Sequence, residues 1–189
     1  NDPLAARVFK TISEEHIGEM SFFRVYSGKV NAGDDLRNTT RNNSEKMRQI
    51  YFMNGKNRKD ASQLIAGDIG AALKLKNTHT GDTLADPKGP ILLPKINYPT
   101  PNMSYAVKPK ARGDEEKIAN GLAIMHEEDP TFLYRVDSEL KQTIISGQGE
   151  LHLNIALKRI SERFHVELDK ETPKVPYRET ISGKAEAKY

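Results

Sequence analysis

Hydrophobic and polar positions change their spacing once along the 189 residues, near residue 99. Before that point the apolar residues come in short β-rich runs. Residues 5–12 and 20–27 are two of them, parted by the polar turn Glu14-Glu15-His16-Ile17-Gly18. A turn-bearing segment at 28–35 leads to a predicted strand at 36–40, and 45–53 alternates in part through Met47, Ile50 and Phe52. Two short strands are predicted in 64–73, and 80–84 closes the series. Short strands with a turn about every 8–12 residues and no helical period predict a closed barrel or a sandwich. Gly-Asp pairs at 33–34, 67–68 and 81–82 are read as its corners, with glycine taking the strained angle and Asp capping the turn.

Prolines crowd at 87, 90, 94, 99 and 101, which predicts a stiff, extended connector and a domain boundary near Pro99. Beyond it the periodicity alternates. A strand at 103–109 precedes a helix that Asp114 caps, with Ile118, Leu122 and Met125 on one face and Asp129-Pro130 at its end. Strands follow at 132–136 and 142–146 around the turn Asp137-Ser138-Glu139. Next comes a strand-to-helix corner, Ile144-Ile145-Ser146-Gly147-Gln148-Gly149-Glu150-Leu151-His152-Leu153-Asn154. Leu151, Leu153, Ile155, Leu157, Ile160 and Phe164 give its helix an apolar face, and 165–168 is the last strand. The order β-α-β-β-α-β is that of the ferredoxin-like split unit. Gly147 and Gly149 are read as hinges, and Gly149→Val is expected to cost about 1–3 kcal/mol. The predicted fold is therefore mainly β plus α+β. A β-barrel occupies 1–98, a ferredoxin-like domain 99–170, and a linker with the truncated start of another domain 171–189.

Charge changes this picture in one place. Net charge is +3, with +4 in residues 1–99 and −1 in the remainder. Within 37–59 seven cations, Arg37, Arg41, Lys46, Arg48, Lys56, Arg58 and Lys59, face a single acid, Glu45. A field of that sign attracts phosphate, although a solvated loop face is the commoner reason for such a run. The stretch Asn54-Gly55-Lys56-Asn57-Arg58-Lys59 reads as a flexible loop suited to an RNA backbone.

Other chemistry is sparse. No Gly-x-x-x-x-Gly-Lys-Ser/Thr phosphate loop occurs, and Ser146 lacks the frame of a nucleophile elbow. Glu162 and His165 have ligand-like spacing without the second pair a two-metal site needs, so no metal is expected and His165 is read as a strand-entry residue. Glu127 and Glu128, near the negative end of a helix dipole, are read as a solvated helix end. Glu150 would repel an anion from the corner. Cysteine is absent, which excludes disulfides and thiolate metal sites and fits a reducing compartment. No apolar run is long enough to span a membrane, and Asn1 is not followed by a signal-peptide pattern.

Six pieces, in order, resemble the elongation factor G family of translational GTPases. They are Phe22-Phe23-Arg24-Val25-Tyr26-Ser27-Gly28, Ala66-Gly67-Asp68-Ile69, Thr80-Gly81-Asp82-Thr83-Leu84, Glu127-Glu128-Asp129-Pro130-Thr131-Phe132, the corner 145–153, and Pro176-Tyr177-Arg178-Glu179-Thr180. The resemblance implies the family's second domain, a translation-factor barrel, followed by its third domain and the start of its fourth. It implies a cytoplasmic, non-catalytic part of a protein whose GTP and Mg2+ are bound by a domain outside this chain. It implies that the barrel cations meet ribosomal RNA and protein of the small subunit. By position, Gly147, Gln148, Gly149, Glu150 and His152 would lie on a relay surface toward the chain's own GTPase domain. Gln148 and Asn154 stand where the family usually has Met and Asp, a departure of the kind a divergent paralogue shows. Ribosome-protection proteins and the GTPase release factor share much of the layout, while 176–180 favours the translocase branch. A free-standing RNA-binding module, or a metal enzyme using Glu162 and His165, are the readings from other classes.

Overall fold

In a computed structural model of the chain, the structure describes residues 2–14, 16–181 and 183–187. The first half holds strands β1 (Ala5–Glu14), β2 (Gly18–Ser27), β3 (Lys29–Asn31), β4 (Asp35–Asn38) and β5 (Asn43–Lys46). It continues with β6 (Ile50–Asn54), β7 (Asn57–Ala61), β8 (Gln63–Ile65), β9 (Ile69–Leu73) and β10 (Thr83–Ala85). The second half holds β11 (Met103–Pro109), α1 (Glu115–Glu128), β12 (Leu133–Asp137), β13 (Gln142–Gly147), α2 (Glu150–Phe164) and β14 (Leu168–Glu171).

In the barrel, eight strands pair in the order β5-β4-β10-β1-β2-β9-β6-β7, and β3–β8 form a separate ribbon. The ribbon sends Val30 and Leu64 into the same core as Val8, Phe23, Val25, Met47 and Leu84. Along β2 the burial alternates, with Phe23 and Val25 inside and Arg24 and Tyr26 outside, so one face of the sheet lines the core. The β1–β2 register slips between Val8 and Lys10, and a bulge of that kind bends a strand and helps the sheet curl.

The three Gly-Asp corners form as their chemistry requires. Gly33, Gly67 and Gly81 have φ of +91°, +99° and +98°, a region that favours glycine. The Asp that follows each accepts the backbone N–H three residues before it, at 2.8 Å for Asn31 to Asp34, 2.9 Å for Ile65 to Asp68 and 2.9 Å for His79 to Asp82. Asp82 does more. Its buried carboxylate also accepts from Asn38 Nδ2 at 2.8 Å and from Arg41 Nε at 2.7 Å.

The partly alternating stretch 45–53 holds the end of β5 and most of β6, with a turn between Lys46 and Ile50. One first-half expectation needs correcting. The supposed loop at 54–59 is a hairpin, with β6 and β7 paired from Ile50–Ala61 to Asn54–Asn57. Gly55, at φ +59°, supplies the positive angle that a two-residue Gly-Lys turn needs.

Residues 86–102 form no helix or strand. The connector lies against the barrel, where Thr39 Oγ1 donates to Ile91 O at 2.9 Å and Leu93 N donates to Thr83 Oγ1 at 3.4 Å. The second domain is an antiparallel sheet in the order β12-β13-β11-β14, the ferredoxin-like arrangement. Both helices pack on it through Ile118, Leu122, Met125, Leu153, Ala156 and Ile160. Asp114 stands at the N-cap of α1, but its side chain makes no cap bond and instead holds Lys117 at 2.9 Å. In α2 the buried stripe is Leu153, Ala156 and Ile160, while Leu151 and Ile155 are 73% and 43% exposed. The predicted apolar face was too wide, because 151 and 155 fall off the 153/156/160 side of a 3.6-residue turn.

The last strand runs Leu168–Glu171, not 165–168. His165 is the C-cap of α2, in the left-handed region at φ 53°, ψ 48°, and is therefore a helix stop and not a strand entry. Residues 172–181 form no regular element, and Ser182, Lys188 and Tyr189 lie outside the described residues. Among the described residues no helix is long and apolar enough to cross a membrane.

Asp82→Ala strands the donors of Asn38, His79 and Arg41, the first of them in a buried setting, and is expected to cost roughly 2–4 kcal/mol. Urea denaturation should show the drop, while Asp86→Ala, at a half-buried position, should leave the midpoint nearly unchanged.

Candidate functional site

The seven cations of 37–59 do not share one surface. Arg37 projects from β4 and donates to the Asn42 side chain. Arg41 is committed to Asp82, whose side chain is 4% exposed. Lys46, on β5, stands 4.0 Å from the exposed carboxylate of Asp35. Arg48 lies in the β5–β6 turn, and Lys56, Arg58 and Lys59 ride the β6–β7 hairpin. Among the described residues these last four have no ion-pair partner. Successive residues of a strand point to opposite faces, so Arg58 and Lys59 cannot face one partner surface together.

Glu45, the lone acid of the run, is 3% exposed. Its carboxylate is turned inward and accepts Lys76 N at 3.1 Å and Asn77 N at 2.6 Å. That bond draws the segment after β9 against β5. Lys74 and Lys76 thereby line one open cavity with Lys46 and Arg48. The sequence held a signal for them. Lys74 and Lys76 flank the buried Leu75, and both are exposed, so the Lys-Leu-Lys alternation marks their outer side even though Lys74 itself turns through a φ of +55°.

At the β13–α2 corner, each residue has a distinct part. Gly147 is buried, and a Cβ there would stand 2.8 Å from both His152 Nδ1 and Leu153 Cδ2. Gly149 is extended, at φ 172° and ψ 179°, and a Cβ there would meet nothing within 4 Å. The expectation that Gly149 carries a glycine-only angle is therefore wrong. Close packing at Gly147, and not backbone strain, is what the corner requires. Gln148 Nε2 donates to Pro99 O and Thr100 O at 3.2 and 3.4 Å, which ties the corner to the connector. Glu150 pairs with Lys170 at 3.1 Å, so the acid in the first turn of α2 is partly neutralised.

His152 is the centre of the corner. Its Nδ1 accepts the Gln148 N–H at 3.1 Å, which leaves the ring proton on Nε2, 3.2 Å from Asp129 Oδ2. The Phe132 ring meets the imidazole edge-on at 6.3 Å between centroids. Asp129 also accepts the Thr131 N–H at 2.9 Å and the Thr131 hydroxyl at 2.6 Å. Burial alone would raise the Asp129 pKa, but the Thr131 and His152 contacts outweigh it and hold the carboxyl below its ordinary value of 3.8.

The end of α1 overturns the solvated-end reading. Glu127 Oε2 is 2.7 Å from His79 Nδ1, and its Oε1 accepts Thr80 N at 3.0 Å. Glu128 Oε1 accepts Ser13 N at 2.9 Å and Arg163 Nη1 at 3.1 Å, while Arg163 Nη2 donates to Ser13 O at 2.6 Å. The two acids clasp the barrel. Their barrel partners lie 47 to 115 residues away in sequence, beyond the reach of local pattern.

Residues 3–86 match the family model described as Elongation factor G domain 2, and residues 98–172 match Elongation Factor G, domain III. The chain belongs to the elongation factor G family. It is similar to elongation factor G of Thermotoga maritima, 45% identical over 191 aligned positions, which take in all of this chain and 28% of that protein. It is also similar to the crystal structure of a protein from Thermus thermophilus, with TM-score 0.82 and 30% identity, over 94% of this chain and 27% of that one. The chain thus spans little more than a quarter of the relatives it matches. The barrel and the ferredoxin-like unit are the family's second and third domains.

Gly147→Ala is expected to destabilise by about 1–3 kcal/mol through overpacking, whereas Gly149→Ala should be neutral or stabilise by about 0.4–1 kcal/mol. Paired urea midpoints check the contrast. A second expectation concerns acid. Because the folded Asp129 pKa lies below 3.8, its stabilisation is full above that unfolded value and fades as pH falls through the lowered one. Asp129→Asn should flatten the acid limb of stability below pH 3.8 and lower stability at pH 7.

Proposed function

We propose that this chain is the ribosome-docking and relay part of a translational GTPase that acts in GTP-dependent ribosomal translocation, without catalysis of its own. The observation that carries the reading is 45% identity to elongation factor G of Thermotoga maritima over the whole chain, through both domains. On this reading the exposed barrel cations meet small-subunit ribosomal RNA, with ribosomal protein beside it. Residues 147–152 face the GTPase domain of the full-length protein. The clasp of Glu127 and Glu128 on Ser13, His79 and Thr80 supports a relay, since two domains joined by hydrogen bonds to carboxylates transmit a displacement better than a free linker does.

GTP and Mg2+ do not fit the residues present. Gly55-Lys56-Asn57 is the tip of a hairpin, with neither the upstream glycine nor the hydroxyl residue of a phosphate loop. Nucleotide chemistry therefore belongs to another part of the full-length protein.

The test uses the full-length protein, bound to ribosomes with a non-hydrolysable GTP analogue. Lys56 and Lys59 should react several-fold more slowly with an amine-directed reagent when ribosomes are present. Equal labelling with and without ribosomes, under conditions where the protein pellets with them, would show that the hairpin is not the contact.

A further inference from the structure

Of the chain's asparagines, only Asn54 and Asn120 precede a glycine. At such a pair the backbone nitrogen can attack the asparagine side chain most freely, because no Cβ on the following residue stands in the way. The fold puts the two pairs in opposite settings.

Asn54-Gly55 is at the tip of the β6–β7 hairpin, where Asn54 and Asn57 are the last paired residues. Residues 54–59 are all exposed, and among the described residues nothing accepts the Gly55 N–H. β7 is the edge strand of its sheet and pairs with β6 alone, so the end of this ribbon opens at small cost. Lys56, Arg58 and Lys59 bring positive charge to the hairpin, which favours loss of the proton from the Gly55 nitrogen. Asn120-Gly121 lies inside α1. There the helical ladder takes up the Gly121 N–H, and the helical backbone holds that nitrogen away from the Asn120 amide. Gly121 is also pressed on α2. A Cβ there would stand 2.9 Å from Ile160 Cγ2 and 3.1 Å from Phe164 Cδ2, so α1 cannot open at this point without parting from its neighbour.

We infer that Asn54 is a site of spontaneous deamidation, and that the same dipeptide at Asn120 is shielded by the fold. When the last hairpin pair opens, the Gly55 nitrogen gives its proton to water and bonds to Asn54 Cγ. The Cγ–Nδ2 bond breaks, and Nδ2 takes up a proton and leaves as ammonia. The resulting five-membered imide adds one water. Opening of its N–Cγ bond gives aspartate, and opening of its N–C bond to the backbone carbonyl carbon gives isoaspartate, whose main chain runs through Cβ and Cγ. Nothing is oxidised or reduced; one water enters and one ammonia leaves. Either product sets a carboxylate beside Lys56, Arg58 and Lys59 and offsets part of their charge. The isoaspartate also lengthens the main chain where β6 meets its turn, which spoils the Asn54–Asn57 pair.

The experiment ages the full-length protein in a mildly alkaline buffer for some days, native and in urea. Samples are digested briefly in acid and the peptides are weighed and separated. In the native protein the peptide holding Asn54 should gain close to a dalton and split into two isomers, several-fold faster than the peptide holding Asn120. In urea the two peptides should convert at similar rates, because only the helix separates them. Asn54→Gln, an exposed substitution that leaves the fold intact by thermal melt, should abolish the gain in its peptide. Equal native rates for the two peptides overturn the inference, as does a native Asn54 that stays intact while the urea sample converts. A gain that survives Asn54→Gln assigns the change to another residue such as Asn57, and a product without the isoaspartate isomer rules out the imide; either result overturns it too.

Discussion

The carboxylate of Glu128 is the point on which the two domains turn. One of its oxygens accepts both the backbone N–H of Ser13 in the barrel and the guanidinium of Arg163 in α2. Arg163 in turn donates to the carbonyl and hydroxyl of Ser13. Three elements that share no local sequence are thus held by one acid and one base. Charge-assisted bonds of this kind are short and directional, so they fix an angle between domains as well as a distance. Their side chains are only partly exposed, at 17% and 30% for Glu128 and Arg163, which spares the pair much of the screening that weakens a surface bridge.

Beside that clasp, the corner of the second domain is stitched from within. His152 joins the β13–α2 turn to the α1–β12 turn through Asp129, while Gln148 reaches back to the connector. A shift of α1 would therefore be felt at the barrel through Glu127 and Glu128 and at the corner through Asp129, one residue further on. The adjacent acids Glu127, Glu128 and Asp129 each face a different partner. That coupling is a property of the helix end, where consecutive residues fan out around the axis.

Cationic charge in the barrel is sorted by the same kind of tertiary bond. Arg41 is consumed by Asp82, whose corner needs it. Glu45 faces inward and brings Lys76 alongside Lys46 and Arg48. What looked like one basic stretch becomes a structural ion pair, a lined cavity and a two-faced hairpin.

The chain's own pattern settled the strand-rich first half, the Gly-Asp corners and the β-α-β-β-α-β order, because each rests on local physics. Glycine angles, Asp caps and two-residue alternation act over a few residues and are written there. The family resemblance was legible for the same reason, in short ordered motifs. Only the folded structure decided that 54–59 is a hairpin, that His165 stops a helix, and that Gly147, not Gly149, is the residue with no room for a side chain. The partners of Glu127, Glu128 and Glu45 also lay beyond local reach, from 31 to 115 residues distant. A contact of that span is fixed by how sheets and helices pack, and no window along the sequence contains both of its ends.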